Sequence, residues 1–448
     1  MKKSIINVLL IASVIFGFGI FNIIMPDKPT VSELENRNLK AMPDFTRQSL
    51  VEGDYLKEFD EYFSDAFIFR EEFISIANNV KEVYGFGFGE SVEIIDYVGA
   101  NVAETSTQNE VDVEIKESMN GNSENEIKGE GETTKASLDI KSEEQEKQVE
   151  TENQTSKSSL YGGMLIYGDR AMEVYNFSTI NAENYAKAIN SYRNLVDSSI
   201  NIYSLLAPTQ IEFIEEEKYR ELSDSQKEAI EYVNSKLDPG IIPVYAYDEI
   251  EQNKDNYLYF RTDHHWTALG AYYAYRSFAE AIGQTPTALD QYRTGYIEGY
   301  LGSTYSATLS ERLAANPDKI IYYLPPIDYT YYINYSVYEE WDLLDFTQAK
   351  KQNKYRFFLS GDRPLGKIVT DSESSNKILV VKDSYGNAFV PFLIPHYKEI
   401  YIVDPRQFEQ NIIGFINENQ INDILFLDYV MITNFIEFHS LITGLTQK

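Results

Sequence analysis

Two short runs of this 448-residue chain hold the side-chain types that hydroxyl-based acyl chemistry needs. The first is Arg261-Thr262-Asp263-His264-His265-Trp266-Thr267, and the second is Lys382-Asp383-Ser384-Tyr385-Gly386-Asn387. Residues i and i+2 of an extended segment face the same side, so Asp263 and His265 are expected neighbours, with His264 turned away. The carboxylate can then fix the ring's tautomer and leave its other nitrogen as a base. Ser384 is expected between a strand and a helix, where the backbone N–H groups of Ser384 and Gly386 are candidate donors to a developing oxyanion. Each run also has a plainer reading. Asp-Ser in that position commonly caps a helix, and Asp-x-His commonly forms a surface cluster. Together they complete a Ser-His-Asp set. The Asp-His-His run also offers metal ligands, as in metal-dependent phosphoester hydrolysis. Adjacent histidines are expected to diverge, however, and no separate Asp and His cluster completes such a site. The expectation is therefore no metal and no cofactor. Trp266, beside the candidate base, either stacks on a sugar ring or packs under its loop.

The elements that must hold these runs alternate. Strands are expected at 200–206, 242–247, 377–382, 399–403 and 423–427, with a short extended piece at 257–260. Helices are expected at 184–196, 224–237 (capped by Ser223), 268–282 (capped by Thr267), 388–394 and 407–417. Apolar runs of four to seven residues between amphipathic helices indicate an α/β fold with a mostly parallel sheet covered on both faces. In that architecture ligands bind at the carboxyl ends of the strands, and both runs lie just after strands. His396 and His439 are read as structural or surface residues.

Lysine and arginine total 39 against 70 acidic residues, a net charge of −31. Such a polyanion repels phosphate backbones and argues against nucleic acid as a partner. The absence of cysteine removes disulfides, cysteine-ligated metals and thiol nucleophiles. Met1-Lys2-Lys3 precedes the uncharged stretch Ser4–Met25, which as a helix spans about 33 Å, enough for a bilayer core. Residues 1–26 are therefore expected to be a transmembrane signal anchor, with the remainder exported. A cleaved signal peptide is the alternative. Residues 27–98 read as a polar, partly helical segment, with apolar spacing over Asp54–Val83. Residues 99–159 contain no aromatic side chain, and 101–158 carry 15 acidic against 6 basic residues. That composition predicts a disordered acidic insertion, and residues 160–448 form the α/β domain.

The motifs also carry a resemblance. Asp263-His264-His265-Trp266-Thr267, followed much later by Lys382-Asp383-Ser384-Tyr385-Gly386-Asn387, resembles the DHHW family. That family is related to the alginate O-acetylation proteins AlgJ and AlgX, in the SGNH hydrolase-like superfamily. Ser32-Glu-Leu-Glu-Asn-Arg37, Pro43 and Asp65–Arg70 are similar to the family's N-terminal signature. Gly302–Ser306, Phe358–Asp362 and Val403-Asp-Pro-Arg406 are weaker echoes. The resemblance implies a three-layer α/β/α SGNH-hydrolase-like domain with Ser384 as nucleophile, His265 as general base and Asp263 as its orienting partner. Trp266 and Arg406 are then candidate substrate contacts. It also implies action on cell-surface or secreted polysaccharide beside a membrane-bound O-acyltransferase, from a single-pass, outward-facing position in the cell membrane. Transfer to a sugar hydroxyl, hydrolysis by the same residues, and non-catalytic glycan binding in a modification complex all remain open at this point.

Overall fold

The computed structural model describes residues 31–32, 37–52, 54–67, 69–70, 73, 158–161, 163–334 and 338–448. Its centre is an eight-stranded sheet. In chain order the strands are β1 (Asn201–Ala207), β2 (Ile241–Pro243), β3 (Tyr329–Asn334), β4 (Tyr338–Trp341), β5 (Leu365–Thr370), β6 (Lys377–Lys382), β7 (Glu399–Val403) and β8 (Asp423–Tyr429). Across the sheet they run β4-β3-β5-β7-β6-β8-β1-β2. The five strands from β7 to β2 are parallel, and β5, β3 and β4 extend one edge antiparallel. The parallel strands are the ones written as unbroken apolar runs. Ile378 to Val381 and all of β8 are buried, as a sheet covered on both faces requires.

Five helices matter for that cover: α1 (Thr179–Arg193), α2 (Gln226–Ser235), α3 (Ala268–Ala281), α4 (Ile412–Asn419) and α5 (Ile436–Gly444). Tyr192 of α1 meets Phe426 edge-on at 4.9 Å, and Phe278 of α3 meets Tyr203 at 5.4 Å. In the β8–β1 register Phe426 lies opposite Ser204 and Leu425 opposite Tyr203. Successive side chains alternate between faces, so α1 and α3 lie on opposite sides of the sheet. The result is three layers.

Several boundaries differ from expectation for local reasons. Thr267 caps α3 as expected, accepting from the Gly270 N–H. Ser225 rather than Ser223 caps α2, because the Ser223 hydroxyl accepts the Tyr175 N–H instead. The strand expected over 242–247 stops at Pro243, and Tyr247 begins a short helix. The helix expected at 388–394 is one α-turn, Gly386–Phe389, that tightens into a 3-10 turn over Val390–Leu393, where Pro391 has no N–H to continue the α pattern. The helix expected at 407–417 begins at Ile412, with Asn411 accepting the Gly414 N–H. The antiparallel strands β3, β4 and β5 lie in the Tyr-rich stretch that periodicity left unassigned.

Among the described residues no helix is long and apolar enough to cross a membrane. The expected anchor, Ser4–Met25, lies outside them. So does the expected acidic insertion, except that its last two residues, Ser158 and Ser159, begin the strand Ser158–Tyr161. Of the N-terminal apolar pattern, Asp54–Asp65 is helical. Asp65 accepts the Lys40 N–H and pairs with Arg70, so residues of that signature hold one another.

Candidate active site

The run 261–265 is a series of bends rather than a strand. Asp318 pins its start, accepting from the backbone N–H groups of Arg261 and Thr262 and from the Thr262 hydroxyl. A single bridge between Tyr259 and Trp266 closes it. Within this turn Asp263 Oδ1 accepts the backbone N–H of His265 at 2.9 Å and lies 2.5 Å from its Nδ1. Asp263 and His265 therefore meet as expected, through a side-chain-to-backbone turn instead of strand alternation. His264 does not turn away as expected. Its ring lies 3.8 Å from that of His265, and its Nδ1 is 2.6 Å from Ser303 Oγ.

Ser384 follows β6, beside β7 and β8 at their carboxyl ends. His265 Nε2 lies 2.7 Å from Ser384 Oγ. The order Asp263, His265, Ser384 is thus one continuous hydrogen-bonded chain, drawn from runs 119 residues apart. The runs are also bolted together nearby. Trp266 Nε1 donates to the Tyr385 carbonyl at 2.9 Å, and the Tyr385 hydroxyl donates to the His264 carbonyl at 2.5 Å.

Asp263 Oδ2 accepts from the Tyr300 hydroxyl at 2.7 Å and the Ser303 N–H at 2.8 Å. Burial alone raises the Asp263 pKa. The His265 contact outweighs it, with help from His264 and Ser303, and holds the carboxyl well below the usual carboxylate range. Burial, and then His265, keep His264 below its ordinary value. An imidazole that Asp⁻ orients, with its other nitrogen facing a hydroxyl, can accept the hydroxyl's proton as the oxygen attacks. Donor atoms of Asp263, His264 and His265 do lie within 4.8 Å of one another. Yet each already bonds within the protein: Asp263 to His265, Tyr300 and Ser303, His264 to Ser303, and His265 to Ser384. An ion there has to break those bonds first.

Three expectations need correction. Gly386 is not an oxyanion donor, because its N–H donates to the Asp383 carbonyl at 3.2 Å. A side chain there would instead collide with the Lys382 stem that passes against it. The Ser384 N–H, by contrast, has no acceptor among the described residues. Trp266 is fully buried and stacks near Phe389, so it packs under the loop and offers no face to a sugar. Arg406 is mostly buried and spent on carboxylates, with Nη2 at 2.6 Å from Asp404 and 3.1 Å from Asp362. Its role is to hold the floor of the site. Asp362 also accepts from Lys382 Nζ at 2.6 Å and Asn387 Nδ2 at 3.0 Å. It is delivered by three consecutive left-handed residues, Leu359, Ser360 and Gly361, a costly backbone that surrounding structure must hold. His439 is buried against Tyr185, a structural position.

Sequence reading missed Tyr355, whose ring stacks on His265 with centroids 3.7 Å apart. It also missed Tyr300 and Asp428. The last sits beneath Ser384 and accepts the Asp383 N–H at 2.9 Å and the Tyr185 hydroxyl at 2.8 Å. Gly302-Ser303 in the echo at 302–306 was the available signal for the loop that meets Asp263.

Residues 35–403 match the family model described as DHHW protein. The chain belongs to the DHHW family. Among solved structures, a DHHW family protein from Eubacterium siraeum is 31% identical, with a TM-score of 0.59 over 63% of this chain and 96% of that one. PatB1 of Bacillus cereus, solved with a sulfonyl adduct, is 20% identical with a TM-score of 0.52, covering 61% and 99% of the two chains. The O-acetyltransferase domain of Pseudomonas putida AlgJ is a more distant likeness, at 13% identity and a TM-score of 0.34 over 64% and 99%. A search of curated proteins finds no significant match. In this DHHW protein the name-giving residues Asp263, His264, His265 and Trp266 thus do four separate things: orient, flank, face the serine and brace.

Proposed function

We propose that this DHHW protein is a serine O-acyltransferase that acetylates cell-surface or secreted polysaccharide through an acyl-Ser384 intermediate. The observation that carries the reading is the hydrogen-bonded chain Asp263–His265–Ser384 at the carboxyl ends of β6 to β8. Its position at the strand ends of a mostly parallel sheet between two helical layers supports the SGNH-hydrolase-like assignment. In the first half-reaction the Ser384 proton moves to His265 Nε2 while Oγ attacks the acetyl carbon of an ester or thioester. The donor's oxygen or sulfur then leaves with that proton. In the second, a sugar hydroxyl gives its proton to His265 and attacks, and Ser384 Oγ leaves and takes the proton back. The Ser384 N–H supports the oxyanion in both.

The proposed acceptor is polysaccharide and the proposed source of acyl groups a membrane-bound O-acyltransferase, both suggested by the DHHW motif's resemblance to the alginate O-acetylation proteins. The segment Ser4–Met25 is proposed as the single-pass anchor that holds the site on the outer side of the membrane.

The test is a rate measurement with p-nitrophenyl acetate, with and without de-O-acetylated glycans as acceptors. Wild type should release p-nitrophenol and pass acetyl to glycan, and Ser384→Ala and His265→Ala should each lose both by at least about a thousand-fold. Release without glycan acetylation by any acceptor assigns the site to an esterase. Equal rates in all three proteins remove the catalytic reading.

A further inference from the structure

His265 lies between two rings. Tyr355 is almost parallel to it, with centroids 3.7 Å apart and planes 11° apart. A ring stacked that squarely fills one face, so His264, at 3.8 Å and tilted 36°, covers the other. The two neighbours have different origins. His264 is adjacent in the chain, whereas Tyr355 arrives on the 3-10 turn Lys354–Phe357, just before the left-handed residues 359–361. Tyr355 is only 3% exposed. Phe358 and Phe260 meet its ring edge-on at 5.4 and 6.2 Å, which leaves the ring little freedom to tilt. Its hydroxyl donates to the Ser384 carbonyl at 3.2 Å. One side chain therefore touches both partners of the Ser384–His265 pair, the ring of one and the backbone of the other.

We infer that Tyr355 is a positioning residue that keeps the His265 ring in line with Ser384 Oγ and favours, through its π face, the imidazolium formed as the serine attacks. This rests on the acyl-transfer reading of Ser384 and His265. As the serine proton passes to Nε2 and the Oγ electron pair bonds the acyl carbon, the His265 ring gains a full positive charge, which it loses when the leaving group takes the proton. An aromatic face attracts a cation far more than a neutral ring, and more strongly in a dry site. The contact therefore strengthens on the way to the transition state, which is what accelerates a step. The hydroxyl does separate work. It fixes the Ser384 carbonyl, which also accepts the Asn387 N–H, and so fixes the direction of the turn that presents Oγ.

The experiment follows the acylation phase with p-nitrophenyl acetate in the full-length protein held in detergent. The variants are Tyr355→Phe, Tyr355→Leu and position 355 carrying a trifluorinated phenylalanine, with Ser384→Ala alongside. Tyr355→Leu should slow acylation about ten-fold or more with little change in KM. Tyr355→Phe, which keeps the face but drops the hydroxyl, should recover several-fold over Tyr355→Leu. The fluorinated ring, with nearly the same shape and a weakened face, should fall below Tyr355→Phe. That last comparison does not depend on whether Tyr355→Leu folds. Equal rates for the plain and fluorinated rings, or for Phe and Leu, overturn the role of the π face. Acylation that persists in Ser384→Ala instead overturns the underlying reading, and this inference with it.

Discussion

The carboxylate of Asp263 occupies the space that a side chain on Gly302 would need, since a Cβ built at Gly302 comes within 2.7 Å of the Asp263 Cβ, Cγ and Oδ2 atoms. The next residue, Ser303, donates its backbone N–H to that same Oδ2. The glycine thus lets a loop from outside the two motifs close against the acid that orients His265. Gly302→Ala should push Asp263 out of line and cut turnover roughly 10- to 100-fold, since about 1 Å of misplacement can cost that much. Steady-state rates with p-nitrophenyl acetate check this. An unchanged rate shows that the Asp263 position tolerates the shift.

The ion cluster beneath Ser384 should be a stability device. Lys382 is buried, and among the described residues its ammonium bonds only Asp362. Burial raises the Asp362 pKa, but Lys382 and Arg406 outweigh that and hold it well below the usual range. Asp362→Ala leaves the Lys382 charge buried without a partner and should cost about 3–5 kcal/mol in urea unfolding. Adding Lys382→Met to that variant should recover a large part of the loss. A double variant no better than the single one means the pair is not what Asp362 supports.

Two buried acids below the serine give the protein a pH signature. Burial pushes the Asp383 carboxyl up to about 7, despite the N–H groups of Tyr429 and Tyr385 that it accepts. Asp428 is raised as well, by burial and then by Asp383. An unfolded aspartate titrates at about 3.9, so between about 4 and 7 these two carboxyls hold more protons in the folded state than in the unfolded one. The two acids' share of the stability should therefore fall as pH rises through that window, against the rise from His264, His396 and His439, which burial holds below their ordinary values. Asp428→Asn removes one of the two acids and should flatten the fall. Thermal melts at pH 5, 6, 7 and 8 decide it, and parallel curves for the two proteins contradict the account.

What the sequence made legible was whatever is encoded locally. Ile378–Val381 and Ile424–Leu427 are unbroken apolar runs, and a run of that kind has few places to go other than a buried parallel strand. Thr267 before an Ala-rich helix reads as a cap because its hydroxyl needs no distant partner. Asp263 and His265 were paired for the wrong reason. Their meeting depends on Asp318, 53 or more residues away in sequence, which bends the run. Tyr355 carries no motif, and only the fold lays it on His265. The strand Tyr329–Asn334 was obscured because its three tyrosines blur the apolar–polar alternation that marks a strand. Gly386 was read by type as a donor, and Trp266 was left between a sugar platform and packing under its loop. Competing bonds, to the Asp383 and Tyr385 carbonyls, spend both.

The central claim is that Ser384 carries the acyl group, and the most direct measurement is the mass of the protein after brief exposure to p-nitrophenyl acetate, followed by peptide mapping. The account predicts one acetyl group on the peptide containing Ser384 in wild type, only trace labelling in His265→Ala, and no label at that position in Ser384→Ala. Labelling that is equal in all three proteins, or absent from Ser384 while the substrate is consumed, contradicts it.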